Sequence, residues 1–442
     1  MAEQLILGSS DGQHAPKRKN MDDFKLNDGD DVMSPKYMLE LPRPGTAVPN
    51  QDGDLAYMVV SKYSFKKKKS DKTIHLFRID GHESTTTLEG SSAFWLDSST
   101  LARVTEKDGT QTLETFDISS GADLAQMSLS SANVVGTFPK GISADNFQYT
   151  QGGGLLVFSA LVYPDYDLQT VARQDKAYEE RGTTAYVFDD TFVRHWDTWR
   201  GPKKSRLFAV ALKKGDVSWE LGNEFFRPLL DTQHFTPVEP FGGIEDFSIN
   251  STHIVYTTKD PSVPESLHTR QNIYLVPIKG GEEPKHLTSG TQGATHSPAL
   301  NPTGDKVVWL EMARDGYESD HSSIVIYDLQ KDIRFIVARD WDRSPDGITF
   351  SHDGSSLIFT AGDLGRVKVF MVPIPPTPSS QGEELQDDPH PVALTILRAA
   401  SGARLLPGGR VLFTASSLIS PNNAYLLTGL DQPHSPLELQ RV

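Results

Sequence analysis

One short pattern, a polar turn followed by an apolar strand, recurs along this chain at nearly constant spacing. Two copies stand back to back: Ser-Pro-Ala-Leu-Asn-Pro-Thr-Gly-Asp-Lys-Val-Val-Trp from Ser297 to Trp309, and Ser-Pro-Asp-Gly-Ile-Thr-Phe-Ser-His-Asp-Gly-Ser-Ser-Leu-Ile-Phe from Ser344 to Phe359. A tight turn between twisted strands often needs a residue at positive φ, which Gly304 and Gly354 supply, and the apolar run that follows suits a buried strand. Aligned on the first buried residue after the turn, the copies fall at Ala56, Leu101, Leu156, Ile254, Val307, Leu357 and Val411, with separations of 45, 55, 98, 53, 50 and 54 residues. A second apolar strand follows most anchors, as at Ile74–Ile79, Leu113–Ile118, Ile273–Ile278 and Ile324–Leu329, and some show a fourth, as at Arg334–Ala338. Four short antiparallel strands about every 50 residues predict an all-β fold, a β-propeller of four-stranded antiparallel blades. The count is seven blades, eight being the alternative, and one large β-sandwich with chance spacing is the competing architecture.

Composition narrows the function classes. A net charge of −15 over 442 residues argues against a general nucleic-acid binder. No stretch has the roughly 18 uncharged apolar residues needed to span a bilayer, so no membrane partner is expected. Met1–Asn20 lacks the apolar core of a signal peptide, so the chain as written reads as cytoplasmic, and as secreted if its start lies elsewhere. The absence of cysteine excludes disulfides, thiolate catalysis and cysteine-built zinc sites; no metal or cofactor is expected. Residues 1–36 read as a disordered tail, Lys17-Arg18-Lys19 as part of it, and 37–442 as the propeller. Lys66–Lys69 reads as an exposed hairpin loop, and Asn250-Ser251-Thr252 as a turn rather than a glycosylation acceptor.

The interval of 98 residues marks an insertion. It falls between the second and third strands of the third blade, about 164–206. Its first part, Asp167 to Gly182, reads as a helix with Leu168, Val171 and Ala172 on one face and Gly182 as its stop. Its second part carries Phe192-Val193-Arg194-His195-Trp196-Asp197-Thr198-Trp199. By strand parity the insertion shares a face with connections between blades, among them Asp340-Trp341-Asp342-Arg343-Ser344-Pro345. Tryptophan, arginine and carboxylates on one face suit contact with a ligand or partner.

The run from Phe192 to Trp199 inside a third-blade insertion, with Asp342-Arg343-Ser344-Pro345 and Ala361-Gly362-Asp363-Leu364-Gly365-Arg366, resembles fungal dipeptidyl-peptidase V. That is the acylaminoacyl-peptidase-like branch of the prolyl oligopeptidase family of serine peptidases. The resemblance covers about Tyr37 to the end of the sequence. It implies a seven-bladed propeller that precedes an α/β-hydrolase domain and covers its active site, with peptide substrates and the hydrolase domain as partners. It also implies Asp340, Trp341, Asp342 and Arg343 on the face toward that domain.

The sequence departs from the family after Val411, where the seventh blade uses most of the remaining residues and leaves no room for the hydrolase. The Gly-x-Ser-x-Gly pattern of a nucleophile elbow occurs as Gly8-Ser9-Ser10-Asp11-Gly12, in the tail and with no following helix, and is read as chance. No catalytic residue carries over, and this chain alone is expected to be inactive. Substrate contact is what remains. A free peptide amine calls for a sheltered carboxylate, with Glu179, Glu180 and Asp197 as candidates. Trp196, Trp199 and Phe65 are candidate apolar walls, and Arg194 lies in the same run. The functional expectation is the non-catalytic propeller half of a dipeptidyl-peptidase V-like serine peptidase, gating and binding peptides for a hydrolase domain. The alternative is a free-standing propeller that binds a protein or peptide, and an enzyme with its own site in the central channel is a third reading. An apolar patch on the insertion face would favour the first.

Overall fold

The computed structural model describes residues 33–80, 85–118, 123–126, 132–189, 192–216, 218–432 and 436–442. The Gly8–Gly12 pattern and Lys17–Lys19 lie outside them. The chain divides into two compact units.

The smaller unit joins the described residues up to Pro42 with Ser61–Asp71. Its helix α1, Pro35–Glu40, begins two residues before the expected start of order at Tyr37. Ser34 caps it, accepting from the Tyr37 amide at 3.1 Å, and Pro35 supplies a preset φ where no amide donor is needed. The basic run is a hairpin tip whose turn places Lys68 at φ 54°. Phe65 meets Tyr63 edge-on at 5.1 Å, and the Lys36 ammonium stands 5.7 Å from its centroid.

The larger unit, Arg43–Val60 with Lys72–Val442, is all-β and propeller-like. Five four-stranded antiparallel sheets start at Arg43, Ser92, Ala144, Phe247 and Thr295. The strands from Pro345 onward form one eight-stranded sheet. Two four-stranded sets meet there through a single parallel pair, Val367 with Ala399, because the connection at 394–398 is short. Each of the seven anchors lies on the second strand of its set and is fully buried.

Local chemistry makes the hairpins. Asn301 Oδ1 accepts from the Lys306 amide at 2.9 Å while its Nδ2 donates to Asp305 at 2.7 Å; Asn50 does both with Leu55 and Asp54, and Asn250 Oδ1 accepts from the His253 amide. A short polar side chain thereby supplies the backbone partners that the turn leaves open. Past the turn, β-branched and aromatic residues pack between sheets: Val308, Ile326, Phe335, Leu357 and Phe359 share one cluster.

The first strands of successive sheets lie against one another. The first sheet also packs on the last. Ala47, Ala56 and Met58 bury against Leu406, Leu412 and Leu426, and Asn422 Nδ2 donates to the Pro44 carbonyl at 3.1 Å. Backbones approach closely here: a Cβ on Gly402, which sits at φ 59°, would fall 2.0 Å from Thr46 Cγ2.

The insertion runs between strands Leu155–Val162 and Lys204–Lys214. Its helix α2 is Val171–Glu179, shorter than the expected Asp167–Gly182. The first turn is lost because Tyr166 adopts φ 51° to bury its ring and donate its hydroxyl to the Leu207 carbonyl, while Asp167 accepts from the Gln169 amide in a local turn. Leu168 and Val171 are buried as the apolar face required.

Candidate functional site

Because each sheet runs up and down, the loop joining its second and third strands shares an end with the connection leaving its fourth. Side chains stitch these segments together across sheets. Arg200, at the root of the insertion, donates to Glu239 and, at 3.2 Å, to Glu265. Asp315 accepts from the Thr269 amide at 2.8 Å, His321 Nε2 donates to the Arg343 carbonyl at 2.9 Å, and Arg343 Nε donates to Asp363 at 2.9 Å. The insertion and the loops of three further sheets thus form one surface.

The Arg-His-Trp-Asp-x-Trp run is a miniature hairpin: Arg194 pairs with Trp199 and His195 with Thr198 around a two-residue turn. The turn holds Trp196 at φ 51°, a left-handed conformation that a bulky residue takes only under constraint. Its exposed ring lies 5.6 Å from Phe241, and the His195 ring stacks on Phe192 at 4.2 Å. Trp199, also exposed, stacks nearly parallel on Tyr186 at 5.8 Å, with the Arg194 guanidinium 5.9 Å from its centroid. Asp197 is exposed and accepts from the Thr198 hydroxyl at 3.1 Å. Glu179 and Glu180 end α2 in solvent, Glu180 3.8 Å from Lys176 one turn earlier. Phe65 belongs to the smaller unit.

On the connection at 338–344, Asp340 and Asp342 are exposed, and Asp342 pairs with Arg343. Trp341 turns inward, edge-on to Phe359 at 5.7 Å and Phe370 at 5.1 Å. Large apolar side chains stand out at this end of the sheets. Leu364, and Leu418 with Ile419, occupy hairpin tips, Leu267 a longer loop between second and third strands, and Ile396 and Leu397 a connection, all exposed and all at the insertion end of their sheets.

A cleft of about 380 Å³ opens at this end. His195 lines it from the insertion, Phe241 and Asp246 from the following connection, and Lys259, His296, Glu318 and Asp346 from the next three sheets. None of the seven side chains expected to touch substrate lines the cleft; their neighbour His195 does. A larger cavity, about 730 Å³, lies between 225–234 and 279–284. The smaller cleft gathers the convergent titratable groups that mark a ligand site.

Burial sets their charge states. It pulls the His195 and His296 imidazoles below their ordinary range, with Arg200 adding to the effect on the first and Lys259 on the second. Burial also lowers the Lys259 ammonium, against the favourable field of Glu265, Glu318 and Asp315. Asp246, 4 % exposed, is pushed up to about 7 by burial, opposed by the Val238 amide that donates to its Oδ2 at 2.7 Å and helped by Glu245. The turn is tight: a Cβ on Gly242 would fall 2.0 Å from that oxygen.

Ser297, His296 and Asp346 all line the cleft, but no hydrogen bond joins their side chains among the described residues. A nucleophile needs its base within hydrogen-bond reach, a geometry these three side chains do not show. The sequence reading missed Lys259, His296, Glu318 and Asp346 because they are distant in sequence. The available signal was polar residues near the insertion-side ends of otherwise apolar strands.

No family model matches the chain. Dipeptidyl-peptidase 5 of Aspergillus fumigatus is 28% identical over 423 residues, covering 89% of this chain and 55% of that protein. Probable dipeptidyl-peptidase 5 of Emericella nidulans is 28% identical over 414 residues, covering 88% and 54%. The chain therefore spans about half the length of the curated relatives it matches. Among solved structures, Pyrococcus horikoshii acylaminoacyl peptidase superposes with a TM-score of 0.58 at 16% identity, over 92% of this chain and 53% of that one. A puromycin hydrolase gives 0.51 at 12% identity, over 89% and 54%. The chain is thus similar in sequence to the N-terminal portion of the fungal dipeptidyl-peptidase 5 proteins, and its fold is shared with the matched half of the acylaminoacyl peptidase.

Proposed function

We propose that this chain is the non-catalytic, seven-bladed propeller half of a dipeptidyl-peptidase V-like serine peptidase. Its insertion face receives an α/β-hydrolase domain in cis, and its cleft admits and holds peptides for that domain. The observation that carries this reading is the gathering of exposed Leu267, Leu364, Ile396, Leu397, Leu418 and Ile419 at the insertion end of their sheets. Exposed apolar residues collected on one end of a fold mark an interaction site, and the relatives and solved neighbours are about twice as long as the matched region. Asp340, Asp342 and Arg343 would lie at the same interface, with Trp341 bracing it from below.

Arg194, Trp196, Asp197, Trp199, Glu179 and Glu180 form the outer lip that a peptide passes. Glu245, Glu318 and Asp346 in the cleft supply carboxylates for a free peptide amine. The test is the mass of the native protein in its own cells, detected with an antibody raised against 43–442. A species well above the 48.8 kDa of this chain is the expected result. A single species at 48.8 kDa would overturn the reading.

A further inference from the structure

The cleft combines two opposite demands. Lys259 stands at the end of strand His253–Lys259, half-buried, and lines the cavity. Its ammonium has three donors, yet its one hydrogen bond is a long 3.4 Å contact to the His268 carbonyl, and it forms no ion pair among the described residues. Glu265 is taken by Arg200 and Lys204, and Asp315 by Arg270 and the Thr269 amide. A half-satisfied ammonium drawn out of water attracts an anion strongly. Neither imidazole competes for that anion as a cation, since burial holds His195 and His296 below their ordinary range.

Glu318, whose field reaches Lys259, and Asp346 line the same cavity with their side chains exposed, and neither makes a side-chain hydrogen bond or ion pair among the described residues. Two carboxylates free of ion pairs are open to a ligand's cation. One ligand that answers both demands carries an ammonium and a carboxylate on the same short molecule. Extended chain spans roughly 3.3–3.6 Å per residue, so two residues separate such charges by about 7 Å. The cavity, about 380 Å³, is near the small end of ligand sites. Val238, Phe241 and Met312 add apolar wall for the side chains.

We infer that the cleft is a site for a free dipeptide, with Glu318 and Asp346 taking its amine and Lys259 its carboxylate. The inference rests on the reading that short peptides enter this cleft, and it adds that the cleft prefers the released two-residue product to the end of a longer chain. A peptide continuing past its second residue presents an amide to Lys259 and forfeits a charge-assisted bond.

Calorimetric titration of the chain with Ala-Phe, Ala-Phe amide and N-acetyl-Ala-Phe tests it. Ala-Phe should bind at least tenfold more tightly than its amide, and Lys259→Met should erase that difference while Lys259→Arg keeps most of it. A melting curve matching that of the parent chain shows that each variant is folded. Equal affinity for Ala-Phe and its amide overturns the inference while leaving amine recognition standing. If instead acetylation changes nothing and amidation weakens binding, the carboxylate site stands and the amine reading fails. No binding of any of the three overturns both.

Discussion

Arg200 and Glu239 form an ion pair at the root of the insertion, with the arginine side chain 7% exposed and Glu265 on its other edge. Glu239 also accepts from the Ser205 amide at 2.9 Å, so one carboxylate holds both the insertion and the strand it rejoins. Removing the cation leaves two carboxylates facing each other with only Lys204 to compensate. Arg200→Met should therefore destabilise the larger unit by about 3 kcal/mol, in the range for breaking a buried pair. Adding Glu239→Gln should recover part of the loss. Urea unfolding of the two single variants and the double variant checks this; strict additivity would mean that the pair is not coupled.

Asp246 makes stability pH-dependent. Its folded value, about 7, lies above the roughly 3.9 of an unfolded aspartate, so the folded chain holds the proton more tightly. A raised value stabilises below the unfolded pKa, and that contribution is lost as pH rises from about 4 to about 7. Asp246→Asn keeps an acceptor for the Val238 amide and cannot ionise. The variant should gain on the parent chain across this window, and unfolding midpoints at pH 4.5 and pH 8 measure the gain. A parent-variant difference that is the same at both pH values would show that Asp246 does not carry the effect.

The repeat was legible because its cause is local. Turn residues such as Asn301 act within five positions, and the anchor that follows, such as Val307, is buried whatever neighbours it meets. The insertion was legible as surplus length. Its helix was overextended, since nothing near Asp167 announces that Tyr166 will turn back to reach Leu207. The Phe192–Trp199 run was legible only as a resemblance; that Trp196 and Asp197 form a hairpin turn depends on pairing two residues at each end. The cleft was not legible. Lys259, His296, Glu318 and Asp346 come from three sheets, and their meeting is a property of how sheets pack, which spacing within one sheet does not encode.

The contact between first and last sheets can be probed at Gly402. Alanine there meets two penalties, a left-handed φ that costs about 1 kcal/mol and a clash with Thr46. Gly402→Ala should lower the melting temperature by several degrees, and Thr46→Ala in the same chain should restore the steric part alone. Full restoration would mean that φ contributes nothing, and no restoration would mean that the two strands do not approach as described.

Leu418 and Ile419 bear most directly on what covers the insertion face. They fill a two-residue hairpin turn between Ser417 and Ser420, where backbone twist favours Asn-Gly or Asp-Gly. Both side chains are essentially fully exposed, so they contribute no packing to this chain. Leu364 sits in the same way at the tip between Asp363 and Arg366, at φ 50°. Apolar residues at solvent-exposed turns cost solubility without adding stability to the fold that carries them, which is the pattern expected of residues that pack on something else. Replacing Leu418 and Ile419 together with serine should leave the melting temperature of the chain within about a degree, since surface changes of this kind fall within about 0.5 kcal/mol. It should also reduce dye binding to exposed apolar surface and weaken concentration-dependent self-association in sedimentation. A marked loss of stability would instead assign the pair to the propeller's own packing and remove the argument that this face is reserved for a partner domain.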